Sequence, residues 1–170
     1  MPSTSLRKTA RSSRSQTTPL YIVKPSKVHG AGVFARRRIG PGECIIEYQG
    51  EHIAWDEALR RSEAKGGPLN HTFFFTLSSG LVIDGGSKGN DARFINHCCE
   101  PNCEAMEHED GRVFIYSLQE IARGAELHYN YALIYDGRHT PAVKRAFACH
   151  CEAPGCTGVM LAPKRGSRRK

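Results

Sequence analysis

Apolar positions along this chain fall in short runs, each cut off within a few residues by glycine, proline or a polar turn. Residues 20–23, 33–35, 44–48, 73–77, 81–83, 113–118 and 126–131 read as strands, rich in β-branched and aromatic side chains. The punctuation between them is strong. Gly30-Ala31-Gly32 and Gly40-Pro41-Gly42 predict turns, and Gly50, Gly111 and Gly124 act as breakers. Only residues 55–65 have the make-up of a full helix, ended by Gly66-Gly67-Pro68, with room for one or two helical turns at 142–147. Strands do not alternate with long helices, so a doubly wound α/β fold is excluded and a mainly β fold of short, irregular sheets is expected.

Length and charge refine this picture. The 170 residues suit one domain with tails. The formal charge of +7 is unevenly placed. Residues 1–18 carry Arg7, Lys8, Arg11 and Arg14 without an acid, and residues 159–170 carry Lys164, Arg165, Arg168, Arg169 and Lys170 without an acid. These nine cations exceed the net charge, so the body is slightly acidic and suits a cationic peptide. Both tails have the composition of disordered ends, and their charge also suits contact with nucleic acid. No run of about 18 apolar residues is present, which excludes a membrane span, and residues 1–20 lack the apolar stretch of a secretory signal. The seven cysteines are therefore expected as thiols or metal ligands, in a reducing intracellular compartment or, for an effector, in the nucleus and chromatin of a host.

Four segments carry candidate chemistry. Gly30-Ala31-Gly32-Val33-Phe34-Ala35 has the letters of a dinucleotide fingerprint. Gly40-Pro41-Gly42 follows too soon for the helix such a site needs, so what survives is a turn that lets backbone approach a ligand closely. Cys149, Cys151 and Cys156 sit within eight residues, in a loop with Pro154 and Gly155. Three thiols so close suit a tetrahedral zinc ion, its fourth ligand to come from Cys98, Cys99, Cys103 or His150. Residues 90–102 crowd Asn, Asp, Arg and His around Phe94 and Ile95, a poor core strand. In residues 126–131, strand alternation would put Tyr129 and Tyr131 on one face, lining a narrow slot.

Taken in order, these segments resemble the SET-domain family of protein lysine methyltransferases over roughly residues 20–158. Gly30-Ala31-Gly32 resembles its G-x-G segment, and Tyr48-Gln49-Gly50-Glu51 its Y-x-G-E. Residues 93–102 (Arg93-Phe94-Ile95-Asn96-His97-Cys98-Cys99-Glu100-Pro101-Asn102) resemble R-F-I-N-H-S-C-x-P-N, and residues 124–131 resemble G-E-E-L-x-Y-D-Y. The cysteine trio resembles the post-SET motif. The resemblance implies several short curved sheets with a pseudoknot, one main helix and a zinc-bound post-SET segment. It divides the chain into a basic tail (1–18), a SET domain (19–138), a post-SET zinc segment (139–158) and a second basic tail (159–170).

The resemblance also implies roles. S-adenosylmethionine would be the methyl donor, held by the backbone of Ala31 and Gly32 and by Arg93, Phe94, Asn96, His97 and Tyr131. Tyr131 would be the catalytic tyrosine, and Tyr129 would set the number of methyls transferred. Cys99 would join Cys149, Cys151 and Cys156 on zinc. The substrate would be a lysine in a basic tail, a histone first of all, with mono- or dimethylation favoured. Two positions depart from the pattern. Cys98 replaces serine, and Phe73 stands where many members place a channel tyrosine. A SET-like body without turnover, acting as a binding module through its tails, is the rival expectation. Residues 7–12 (Arg7-Lys8-Thr9-Ala10-Arg11-Ser12) themselves resemble histone-tail sequence.

Overall fold

The computed structural model describes residues 19–64, 73–135 and 137–164. Among these residues, ten short strands form four small sheets, accompanied by two α-helices. Strands β1 (Tyr21–Pro25) and β2 (Ala31–Ala35) are an antiparallel pair. β3 (Cys44–Tyr48), β8 (Cys103–Glu107) and β9 (Val113–Ser117) form an antiparallel sheet in the order β3-β9-β8. β4 (Glu51–Ile53), β5 (Phe74–Thr76) and β6 (Val82–Asp84) form another with β6 central. β7 (Asn96–His97) lies parallel to β10 (His128–Tyr129).

Period-two patterning builds the core. In β9 the side chains of Val113, Ile115 and Ser117 point inward while Phe114 and Tyr116 are half-exposed. Val113 and Ile115 meet Val33, Ile39, Ile83, Ile95 and Leu127, which are fully buried or nearly so. Central β6 is buried on both faces, Asp84 included. A buried carboxylate needs a partner, and Arg61 supplies one, its Nη1 2.8 Å from Asp84 Oδ2. Arg61 belongs to α1 (Trp55–Ala64), whose first turn is acidic, as a helix N-terminus favours. The same guanidinium reaches Glu57 at 2.7 Å and Glu51 at 2.9 Å, fastening the helix to β4 and β6. The C-terminal part holds α2 (Pro141–Ala146), with Thr140 as N-cap and Pro141 in the first turn.

The strand and helix positions read from the sequence are found within a few residues, the expected helix stop at 66–68 lying outside the described residues. Two readings need correction. Ala31 and Gly32 belong to β2 rather than to a turn, because the β1–β2 register pairs Pro25 with Ala31 and confines the reversal to residues 26–30. Only Gly30 (φ 47°) needs left-handed backbone there. The strand expected over 126–131 contracts to His128–Tyr129. Asn130 Oδ1 accepts the Ala132 N–H at 2.9 Å and Ala132 takes φ 45°, so the chain turns before Tyr131 can extend the ladder.

Candidate active site

Three segments meet where β7 and β10 pair. The Asn96 carboxamide donates to Ala31 O (3.1 Å) and to Glu126 Oε1 (2.8 Å), linking β7 to β2 and to the start of the tyrosine segment. Asn102 repeats the device lower down, donating to Glu126 O and accepting from His128 N–H, at 2.8 and 2.9 Å. These bonds tie the Asn-His run to residues 126–131, the two segments that the expected pseudoknot concerns. Gly32 is required by this junction. A Cβ there would stand 2.9 Å from the Glu126 carboxyl carbon and 2.9 Å from Ser26 Cβ.

Tyr131 is fixed at both ends. Its N–H donates to His97 Nδ1 at 3.1 Å, and its hydroxyl donates to Ile95 O at 2.7 Å. His97 is buried, and that burial, helped by His128, draws its imidazole down to about 4, so it is neutral near pH 7. With Nδ1 accepting from Tyr131, the proton belongs on Nε2, 3.5 Å from Cys99 Sγ. The Tyr129 and Tyr131 ring centroids lie 4.9 Å apart although only Tyr129 is in the strand. Burial raises both phenols above their ordinary range, with Tyr131 adding to the effect on Tyr129 and Glu126 to that on Tyr131.

Tyr129 and Tyr131 line a cavity of about 220 Å³ together with Phe75, Pro101, Cys103, Glu104, Ala105 and others. Phe73, expected on the channel, is not in this lining. It packs edge-on against Phe94, centroids 5.9 Å apart, with the Arg93 guanidinium 5.8 Å from its ring centroid. Phe75, two residues on and therefore on the same strand face, lines the cavity, with Tyr48 behind it at 5.5 Å. Phe75, Tyr48, Glu126 and Asn102 are the site residues that the sequence reading left without a role. The period of two between Phe73 and Phe75 was the available signal for the first.

Beside this site the thiols of Cys99, Cys149, Cys151 and Cys156 all lie within 4.8 Å of one another. Cys99 Sγ is 3.8 Å from Cys149 Sγ and 3.9 Å from Cys156 Sγ. A tetrahedral ion with metal–sulfur bonds of about 2.3 Å needs sulfur pairs about 3.8 Å apart, so the four thiols fit zinc. Burial works against the Cys151 thiolate, but backbone N–H groups of Cys99 and Ala153 and the neighbouring thiols outweigh it and bring the group to about 6, while burial raises Cys149. Among the alternative fourth ligands, Cys98 Sγ instead donates to Glu100 O and Cys103 Sγ to Asn102 Oδ1.

The SET domain family model matches residues 30–132, which spans β2, the Asn-His run and the paired tyrosines. This chain belongs to the SET-domain family. Among curated relatives, the mouse "Histone-lysine N-methyltransferase, H3 lysine-36 specific" is 37% identical over 77% of this chain. The "Histone-lysine N-methyltransferase, H3 lysine-4 specific" of Eremothecium gossypii is 39% identical over 79% of it. This chain spans 5% of the mouse protein and 14% of the fungal one. The solved structure of a humanized mutant of the Chaetomium thermophilum Polycomb Repressive Complex 2 bound to the inhibitor GSK126 superposes with a TM-score of 0.59 at 33% identity, covering 68% of this chain and 15% of that one.

Arg93 and Phe94, two of the residues expected to hold S-adenosylmethionine, have features that suit such a ligand. Arg93 Nε is buried with no hydrogen-bond partner among the described residues, a donor awaiting an acceptor. Its guanidinium lies 4.7 Å from the Phe94 ring centroid.

Proposed function

We propose that this SET domain is an S-adenosylmethionine-dependent protein lysine N-methyltransferase acting on a lysine in a basic tail, a histone first of all, with mono- or dimethylation as its product. The observation that carries the reading is the doubly anchored Tyr131 beside Tyr129 in one cavity, joined through His97 and Asn96 to the β2 edge. Ala31, Gly32, Arg93, Phe94, Asn96, His97 and Tyr131 would hold the cofactor. When bound, it supplies an electrophilic sulfonium methyl.

The chain's own residues then have three tasks. The first is to deliver a neutral amine. A free lysine has a pKa of about 10.4 and arrives protonated. An aromatic-lined cavity disfavours the ammonium, and a neighbouring sulfonium repels it. The second is alignment. The Tyr131 hydroxyl proton is committed to Ile95 O, which leaves the phenol oxygen's lone pairs to orient the incoming amine. Because burial raises both phenols, neither tyrosine is a competent base near neutral pH, and the lysine proton leaves through water. The third is restriction of product. The Tyr129 hydroxyl holds a water beside the lysine nitrogen and so crowds out a third methyl.

Cys99, Cys149, Cys151 and Cys156 would hold a structural zinc ion. Its task is to fix residues 149–156 beside Cys99, two residues from His97.

Incubation with labelled S-adenosylmethionine and a panel of purified histones, followed by site mapping, tests the reading. Label on a tail lysine, at the mass of one or two methyls, is expected. Mostly trimethylated product would overturn the role given to Tyr129. Cofactor binding without transfer to any basic protein would instead favour a binding module.

A further inference from the structure

A fifth thiol crowds the four-thiol cluster. Cys99, Cys149, Cys151 and Cys156 are the four whose sulfurs lie mutually within 4.8 Å. Cys98 is the fifth, and it stands where the SET pattern has serine. It is buried, and its Sγ donates to Glu100 O at 3.3 Å. The same sulfur lies within hydrogen-bonding reach of Cys151 Sγ. Cys151 Sγ also accepts from the Cys99 N–H, which belongs to the peptide group joining Cys98 to Cys99. The Cys98 and Cys151 sulfurs are therefore neighbours across one peptide unit. The two remaining cysteines are engaged elsewhere. Cys103 is fully buried and donates to Asn102 Oδ1, and Cys44 pairs with Tyr116 across β3 and β9.

We propose that Cys98 is the resolving thiol of a peroxide-sensitive cluster, so that oxidation joins Cys98 to Cys151 and discharges the zinc ion. The inference rests on the zinc reading of the four thiols given above.

The surroundings separate the roles of the two sulfurs. A metal-bound sulfur is deprotonated, and the thiolate, not the thiol, is the nucleophile toward a peroxide. Cys151 is partly exposed, so a small hydroperoxide reaches it, whereas Cys98 is covered. Resolution by Cys99, Cys149 or Cys156 would break a second metal–sulfur bond. Cys98 has no such bond to give up. It needs only to turn from Glu100 O, losing one weak sulfur hydrogen bond. A serine at this position could make that hydrogen bond but not a disulfide.

In the first step the Cys151 thiolate attacks one peroxide oxygen. An S–O bond forms, the O–O bond breaks, and the hydroxide released takes a proton from solvent. In the second step the Cys98 sulfur attacks the Cys151 sulfur. An S–S bond forms, the S–O bond breaks, and the leaving hydroxide takes the Cys98 proton as water. The two sulfurs together lose two electrons, and the peroxide becomes two waters. The link from residues 149–156 moves from Cys99 to Cys98, beside the Cys99 Sγ···His97 Nε2 contact of 3.5 Å. Thiol reductants reverse a disulfide, so a cluster that stops at this stage avoids the irreversible sulfinic acid.

The test loads the full chain with zinc, measures its metal content and adds hydrogen peroxide. Released zinc is read with a metallochromic dye, and disulfides are mapped by mass spectrometry without reduction. A Cys98–Cys151 crosslink is expected, with about one zinc ion released per crosslink and both changes reversed by dithiothreitol and fresh zinc. Cys98→Ser should take up zinc as the original chain does. At equal peroxide it should carry about tenfold more Cys151 sulfinic acid, because nothing resolves the sulfenic acid. Absence of the Cys98–Cys151 crosslink, equal sulfinic acid in the two chains, or a crosslink that leaves the ion bound overturns this inference and leaves the zinc reading standing. Failure of Cys98→Ser to take up zinc would make Cys98 a ligand and overturns it too. An original chain that takes up no zinc sinks both readings together.

Discussion

The SET body and the C-terminal cysteine segment adjoin one another yet are held by different physics. In the body, isoleucines, valines and a leucine from several strands are fully buried, and polar junction groups such as Asn96 and Asp84 are buried with partners. Between residues 137 and 164 the buried side chains are Phe147 and Leu161, and α2 buries none. The backbone bridge Leu133–Leu161 attaches the segment to the body, and the bridge Ala148–Val159 closes the segment on itself. Two buried side chains contribute about 6 kcal/mol at most, whereas a structural zinc contributes about 10 kcal/mol or more in small peptides. The difference teaches that the body can exist as a packed object without metal, and that the segment bringing Cys149, Cys151 and Cys156 to Cys99, beside the site, cannot.

Removing the metal is the strongest way to break that contrast. Treatment with a tight chelator, or Cys149→Ser, should remove methyl transfer by on the order of 1000-fold, while far-UV circular dichroism and urea unfolding of the body move by less than about 1 kcal/mol. Metal content read alongside should fall from one ion per chain to none. Cooperative unfolding of the whole chain on chelation would show that body and segment share one core and end the distinction.

Tyr131→Phe works from the other side of the boundary. It deletes the hydroxyl and its bond to Ile95 O but keeps the ring against Tyr129 and His97. Turnover should fall on the order of 100-fold, as for loss of one positioned polar group in a catalytic site, with cofactor binding nearly intact and metal content unchanged. A variant with normal turnover would take Tyr131 out of the reaction.

Asn96→Ala probes the body's polar junction. It strips Glu126 Oε1 and Ala31 O of a buried donor, which should cost about 2 kcal/mol in urea unfolding. Nothing comparable should follow from Cys149→Ser. Equal losses in the two variants would again merge the regions.

How much of this was legible in the sequence follows the same division. The body's strands could be read because burial on one face forces a period of two, as in β9, and because Gly30 marks a turn through its positive φ. Three members of the cysteine cluster could be read because ligand spacing is chemistry, not packing. Spacing alone left the fourth ligand open, and the resemblance named Cys99; the fold brings its thiol to the other three, while the Cys98 thiol turns to Glu100 O. The roles of Phe73 and Phe75 were not fixed for the same reason. Both project from one face, and only the position of β5 beside β6 decides which reaches the cavity. Glu126 carries no signal alone, because its work is to accept from a residue thirty positions away.

The smallest effect lies on the body's outer face. Arg112 grips both oxygens of Glu47, Nε to Oε1 at 2.8 Å and Nη2 to Oε2 at 2.7 Å, joining β3 to the start of β9. Those hydrogen bonds, opposed by partial burial and aided by Gln49, hold the Glu47 carboxyl at about 2 in place of its usual 4.5. The sign follows from linkage. The folded state binds its proton later than the unfolded chain does, so the stabilisation is complete above about pH 4.5 and is lost as pH falls through about 2. Arg112 is half exposed, so solvent screening limits the contribution to about 0.5 kcal/mol. Glu47→Gln should therefore flatten the acid limb of stability between those two pH values by that small amount. Metal content and methyl transfer should stay at their original level, because this ion pair touches neither the thiols nor the tyrosines. A larger loss, or any loss of zinc, would mean that the outer sheet and the cysteine segment are coupled through the body.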